Sequence, residues 1–500
     1  MFAQPNPQSK KITEQFFPEI DTLQNVTPAL LKKKGYTDYD ELISFLKNLE
    51  KQFPDQVKLR FIGESQKGLS IPMVQITNLK SQNPKTKVWM QGGIHGNEPA
   101  SSEGLLYLLQ ALLHHKENQV FLDKINLTMV PMANIDGYLK QDRYASNGLD
   151  LNRDQTKLMA PESVVLKQAF SDFSPAVGLD FHEYNPYRKD FTKLGSFGIT
   201  SAYDVMFLYT GNLNVPENLR LLTSSLFVEE ARKCMSQHGF RHHDYMSTDS
   251  YHGEIVFNQG SQSARSSATS YALTNTISTL IEVRGVGIGR TSFKRRMAIT
   301  YLIGMSYLKT TIENIDLIQK EINKAQVFQN DRKEITVTSQ RNTYKKEIEV
   351  IDLDKEKLMP MEVTIRDALQ SKPSLVRSQP QAYLIDKNHI VLIDKLKVLG
   401  IEVKTISEDQ IHKVEVFTIS KFNNDGFLYE KMKIQDVEAT LSMKEINFPA
   451  GTFMIQTNQK NAALLAEILE PEAPNSFVHF GVLTTELNQE LPIYRLPKTF

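Results

Sequence analysis

"VWMQGGIHGNEPASSEGLLYLLQALL", residues Val88 to Leu113, opens as an apolar strand-like run and closes as an amphipathic helix. Two glycines end the strand, His95 and Glu98 follow at once, and the helix begins near Pro99. A strand passing into a helix through a tight turn is the unit from which layered α/β proteins are built. Such a turn is a poor place to hide an imidazole and a good place to hold something. Taken alone, the pair is ambiguous. A hydrogen-bonded histidine beside a carboxylate that favours the helix dipole accounts for it equally well.

Outward from this unit the alternation continues. Upstream, "DYDELISFLKNLEKQF" reads as a helix, and "VKLRFIGES" and "IPMVQITN" read as strands joined by a turn around Gly68. Downstream, "INLTMVPMANIDGYL" is a strand running into a turn at Asp136-Gly137. "AVGLDFHEY" and "TISTLIEVRG" are further strands, with a helix near 216–238 between them. A helical stretch from about Phe293 to Ala325 follows, and "QNDRKE" reads as a linker. From about residue 335 short β-rich runs such as "AYLIDKNHIVLI" and "GTFMIQTN" take over. The expectation is an α/β fold with a mixed, mostly parallel central sheet flanked by helices, and a smaller β-rich C-terminal domain.

Composition narrows the function. The 500 residues carry 58 basic and 58 acidic side chains, a balance that gives no reason to expect nucleic acid or an anionic membrane as partner. No apolar run approaches the length of a transmembrane helix. A single cysteine, Cys234, rules out an intrachain disulfide framework and any multi-cysteine metal site. The leader "MFAQPNPQSKK" has no intact signal peptide, although "FAQ" reads like the tail of a cleaved one. A secreted or periplasmic protein is expected, with a cytosolic one as the alternative.

Downstream residues raise the specificity of the opening pair. His182 in "GLDFHEYNP" ends an apolar run, and two histidines with one carboxylate are a common catalytic zinc set. Glu282 ends the strand "TLIEVRG", where an unpaired carboxylate is costly and needs a partner or a task. One alternative is a salt bridge to Arg284. The other is a general base beside an activated water. Between them, "NIDGYLKQDRYASNGLDLNRDQT" offers Arg143 and the pair Asn152-Arg153. An arginine fork with a neighbouring amide suits a substrate carboxylate, and a second arginine suits an oxyanion. Singly, each reads as well as a surface polar group at a turn.

The ordered set H-x-x-E, N-x-D-G-Y, an arginine before "NGLDLNRD", "DFHE" and "IEVRG" resembles the zinc metallocarboxypeptidases, of which pancreatic carboxypeptidase is the type. "DLNRDQTKLMAPE" and "EVRGVGIGR" resemble the bacterial branch. The C-terminal run "FPAGTFMIQTNQKNAALLAEILEPEAPNSF" looks like an accessory domain found behind such domains in bacteria. The resemblance covers about residues 25 to 325. With the change of texture near 335, the expected organisation is a polar leader at 1–24, a zinc carboxypeptidase catalytic domain at 25–330 and a β-rich accessory domain at 331–500.

The resemblance further implies one zinc ion per chain on His95, Glu98 and His182, with Glu282 as general base. Arg143 would polarise the scissile carbonyl, and Asn152 and Arg153 would grip the terminal carboxylate. Tyr251 is the expected capping tyrosine, whereas Tyr271 is expected to be structural. The implied activity is removal of a C-terminal residue from peptides with a free carboxylate, cell-wall peptides being an alternative substrate. A peptidase-like binding protein is disfavoured because every implied site residue is present. Asn97 stands where pancreatic members have arginine, which leaves an outer subsite contact open. The segment "NQGSQSARSSATSYALTNTIS" before Glu282 is small and polar, with Arg265 its only charge, so acidic or polar C-terminal residues are the expected preference.

Overall fold

In the computed structural model, which describes residues 8–424 and 426–498, eight strands make up the sheet that carries the site. They are β1 (Val57–Glu64), β2 (Ser70–Ile76), β3 (Thr86–Gly92), β4 (Ile125–Val130), β5 (Val177–Tyr184), β6 (Val205–Leu208), β7 (His242–Asp244) and β8 (Ile277–Arg284). Their spatial order is β1-β2-β4-β3-β5-β8-β6-β7. The central strands β4, β3, β5 and β8 run parallel, while β1, β2 and β6 introduce antiparallel pairs. The sheet is therefore mixed and parallel at its centre, as expected.

Every residue of β5 and β8 is buried, as befits strands covered on both faces. The helices Pro99–His114 and Phe293–Glu313 pack together and against the sheet. Tyr39–Gln52 starts where the sequence places it, on a capping box between Asp38 and Glu41. Polar residues inside β5 and β8 must find partners or face a cavity, and this is what sets the site's location.

Three local expectations differ. After β4 the chain forms a short helix, Ile135–Lys140, instead of a turn, because the Gly137 N–H donates to Asn134 Oδ1 at 3.0 Å and caps it. The long helical stretch breaks at Asn314 and resumes as Ile315–Asp331. "QNDRKE" is therefore no linker. Gln329 is buried within that helix, and Arg332 donates to Gln379 at 2.7 Å before the next strand begins at Glu334.

The strands Glu334–Asp352 and Lys357–Ser378 form a long hairpin. It joins a sheet with Ile199–Ser201, Glu254–Gln259 and Met246–Tyr251, so strands from either side of residue 330 share one ladder. A six-stranded sheet holds most of the remaining strands up to residue 496. Residues 1–7 of the expected leader lie outside the described residues. From Lys10 the chain forms a helix, and Phe17 is buried under the Arg284 guanidinium at 4.1 Å. Among the described residues no helix is long and apolar enough to cross a membrane.

Candidate metal and substrate site

His95, Glu98 and His182 meet at the C-terminal edge of the parallel strands, where open α/β sheets place their ligands. The turn after β3 is tight because Gly96 lies on the backbone of Gly137. A Cβ there would come within 2.0 Å of the Gly137 carbonyl carbon, so only glycine seats the turn. Glu98 precedes the helix Pro99–His114 but makes no capping hydrogen bond with its side chain. Its oxygens instead lie 2.8 Å from His95 Nδ1 and 2.9 Å from His182 Nδ1. The carboxylate is thus turned to the two imidazoles and not to the helix backbone.

The two Nδ1 atoms are 3.0 Å apart, and all three side chains are buried. A tetrahedral ion with metal–nitrogen bonds of about 2.0–2.1 Å has a ligand edge of roughly 3.3 Å, so the cluster is already close to zinc dimensions. The outer nitrogens agree. His95 Nε2 lies 3.0 Å from Asp150 Oδ1, and His182 Nε2 lies 2.9 Å from Asp180 Oδ2. A carboxylate behind each ring keeps the proton on Nε2 and leaves Nδ1 free to ligate. Burial opposes the charge on Glu98, but the two imidazoles outweigh it and hold the carboxyl well below its usual range. Burial likewise opposes a charged His182, and the Asp180 and Glu98 carboxylates override it upward. These donors fit a single zinc ion.

Glu282 on β8 stands level with His182 on β5 in the parallel register. It is 9% exposed, faces the cleft, and has no ion-pair partner within 4.0 Å among the described residues. The alternative bridge to Arg284 is not formed. That guanidinium donates instead to Thr200 Oγ1 at 3.0 Å and the Ser201 carbonyl at 2.6 Å. Burial pushes the Glu282 carboxyl up to about 7; His182 pulls it down and Glu98 pushes it further up.

Arg143 is clamped by Asp150, which accepts from Nη2 at 2.7 Å and Nε at 3.1 Å. Its Nη1 is left 3.2 Å from His95 Nδ1 and 3.6 Å from Glu98, facing the ligands. Asn152 sits in the short turn Leu151–Arg153, where its Oδ1 accepts from the Ser267 N–H at 2.8 Å. Arg153 Nη1 donates to the Asn152 carbonyl at 2.9 Å. Arg143, Asn152 and Arg153 line one cleft of about 790 Å³ together with His95, Glu98 and Glu282.

Tyr251 lies elsewhere. It is 40% exposed at the end of the strand Met246–Tyr251, with the Arg366 guanidinium 4.0 Å from its ring. Tyr245 does line the cleft, and its hydroxyl accepts from Arg188 at 3.1 Å. Tyr271 is buried, stacked on Phe170 at 3.8 Å, and donates to Gln91 at 2.8 Å. Asn97 lines the cleft as well.

Sequence reading missed the residues that hold these in place. Asp180 had a faint signal, being two residues before His182 and so on the same face of β5. Asp150, in "LDLNRD", had none beyond its neighbours. The remainder come from beyond residue 330. Glu430 accepts from the Asp150 N–H at 2.8 Å, Lys431 bonds the Asn147 carbonyl, and Arg265 stacks 4.6 Å from the Tyr429 ring. Arg341 lines the same cleft.

The family model for zinc carboxypeptidase matches residues 42–177, a span that contains His95 and Glu98 but stops short of His182 and Glu282. Carboxypeptidase 2 of Trichophyton equinum is 30% identical over 445 residues, covering 87% of this chain and 81% of its own. Carboxypeptidase 2 of Trichophyton rubrum is 29% identical over 446 residues with the same coverage. A crystal structure of a metallo-carboxypeptidase from Burkholderia cenocepacia aligns with 55% of this chain and 69% of that one, at 15% identity and a TM-score of 0.43. The long sequence matches are to fungal proteins, where the motifs had pointed to the bacterial branch. Identity of that level across four fifths of a relative, joined to a ligand cluster of zinc dimensions, settles the family: this chain belongs to the zinc carboxypeptidases.

Proposed function

We propose that this zinc carboxypeptidase removes one residue at a time from the C-terminus of peptides, with Glu282 as its general base. The observation that carries the assignment is the unpaired Glu282 carboxylate, level with a metal ligand and facing the cleft that Asn152 and Arg153 also line. His95, Glu98 and His182 would hold the zinc ion, which when bound would supply Lewis-acid chemistry toward a carbonyl and a water. The Glu282 carboxylate takes a proton from the attacking water and later donates it to the leaving amine nitrogen. Arg143, oriented by Asp150, faces the carbonyl oxygen as negative charge develops there. Arg153 and the Asn152 amide hold the substrate's terminal carboxylate and so fix the cut one residue from the end.

Paired short peptides test this, one with a free C-terminus and one amide-capped, with and without chelator. Only the free peptide in the metal-loaded protein should be cut. Equal cleavage of both would replace the exopeptidase with an endopeptidase. Cell-wall tripeptide belongs in the same series as the alternative substrate, and its preference would align the enzyme functionally with the bacterial branch.

For the capping tyrosine, Tyr245 competes with Tyr251, since it lines the cleft and Tyr251 stacks on Arg366 outside it. Phenylalanine at each position separates them by the KM of the free peptide. We also propose residues 25–330 as the catalytic domain and 331–500 as an accessory domain that lends the cleft one wall.

A further inference from the structure

We propose that the cleft wall built by Arg265 and Arg341 is a pocket for an acidic side chain, so that the preferred peptides end in glutamate or aspartate. This rests on the exopeptidase reading and adds the substrate class to it. Arg265 lies in the loop between the strand Glu254–Gln259 and the helix Ser267–Ala272. Arg341 comes from the far side of the chain, on the strand Glu334–Asp352. There the long hairpin loses register: Gln340 opposes Lys372 and Asn342 opposes Asp367, leaving Arg341 unpaired in the ladder. An irregularity of this kind beside a site re-aims a side chain. Both arginines line the cleft that holds Glu282.

Neither guanidinium has a carboxylate within 4.0 Å among the described residues. Carboxylates farther away are committed elsewhere. Asp150 binds Arg143 and His95, Glu430 binds the Asp150 N–H, and Asp367 accepts from Tyr344 and Gln259. Asp249 attracts Arg341, but the Arg366 and Arg265 charges act on it in the opposite sense. Arg153 repels Arg265 in turn, and all three arginines line the same cleft.

Burial lowers the affinity of both arginines for their protons, yet an arginine cannot shed its charge in a protein. A lysine can: Lys167, buried in the core without a carboxylate partner, is brought down to about 7. Arg265 has the Tyr429 ring at 4.6 Å and Arg341 feels Asp249 across the cleft, but neither charge has a carboxylate in contact among the described residues, which leaves room for an anion from outside. With Arg153 taking the α-carboxylate, a carboxylate on the same residue's side chain would be the anion for Arg265 and Arg341, which line the same cleft. The neighbouring wall is Asn258, Ser261 and Ser263, which offers little to a bulky apolar side chain.

The test uses zinc-loaded enzyme on matched peptides ending in Glu, Gln and Phe, together with equilibrium binding of N-acyl-glutamate and N-acyl-glutamine. We expect kcat/KM for the Glu peptide to exceed that for Gln by about tenfold or more, and N-acyl-glutamate to bind more tightly. Arg265→Gln and, separately, Arg341→Gln should bring both ratios toward one. Equal or faster cleavage of the Gln or Phe peptide by the wild type would overturn the pocket, as would ratios that neither variant moves. If no free peptide is turned over, the exopeptidase reading fails, and the binding pair alone decides the pocket: equal affinities overturn it.

Discussion

The metal end of the cleft and its arginine wall treat buried charge in opposite ways. At the metal end each ligand has a designated neighbour: a carboxylate behind each imidazole, two imidazoles beside Glu98, Asp150 behind Arg143. Only Glu282 is left without one. Along the arginine wall, Arg153, Arg265 and Arg341 line one cleft with no carboxylate within 4.0 Å of them among the described residues. A centre that must hold a cation and run chemistry has to be complete before substrate arrives, since geometry preset by a second layer of groups is what catalysis uses. A wall that selects among substrates gains by being incomplete, because the missing charge is the one the substrate brings.

Four substitutions would break or sharpen this contrast. The largest effect is expected from Glu282→Gln, which removes the proton carrier without touching a ligand. Turnover should fall by a factor on the order of 10² to 10⁴, while metal analysis still finds about one zinc per chain. Activity near wild type would put the base elsewhere.

Next is Asp180→Asn, which replaces the carboxylate 2.9 Å behind His182. Zinc affinity measured against a competing chelator should weaken by roughly 10–100-fold. An unchanged affinity would mean that His182 is held by packing alone.

Glu430→Ala reaches the metal end from beyond residue 330 by freeing the Asp150 N–H. Because Asp150 orients both His95 and Arg143, kcat/KM should drop by about tenfold, with zinc content unchanged. A drop confined to KM would assign Glu430 to the substrate wall instead.

The smallest effect concerns Lys167, whose Nζ donates to Ser270 at 2.7 Å with no carboxylate at hand. Burial lowers its folded value to about 7 from an ordinary 10.5. Below pH 7 both states are protonated and the folded state bears the whole penalty. Between about 7 and 10.5 the unfolded chain holds the extra proton, so this group's contribution to stability rises with pH. Lys167→Met should therefore stabilise by about 1–2 kcal/mol at pH 7, and the gain should shrink by pH 10. Denaturant midpoints at the two pH values check it; a constant gain would mean that Lys167 binds its proton equally in the folded and unfolded states, with no depression by burial.

Much of the metal end is legible in the sequence alone. His95 and Glu98 are three residues apart at the end of one strand, and His182 and Glu282 each end an apolar run. Local pattern locates strand ends, and in a parallel sheet strand ends share one edge, so the sequence placed these residues where they could meet, and the resemblance of the ordered motifs to the zinc metallocarboxypeptidases implied that they do. The sequence by itself determined the sheet class, through runs too apolar to face water on either side. Local competition is where the pattern misleads. Asn134 turned an apparent turn into a capped helix, and the burial of Gln329 and Arg332 turned an apparent linker into structure. Tertiary structure alone decided the arginine wall. Arg341 follows Arg265 by 76 residues, on a hairpin that joins strands from before residue 260, and Glu430 follows Asp150 by 280. Neither pairing leaves a periodic trace, because hydrophobic periodicity records which face of a strand or helix is buried and carries no information on which distant loop comes to lie against it.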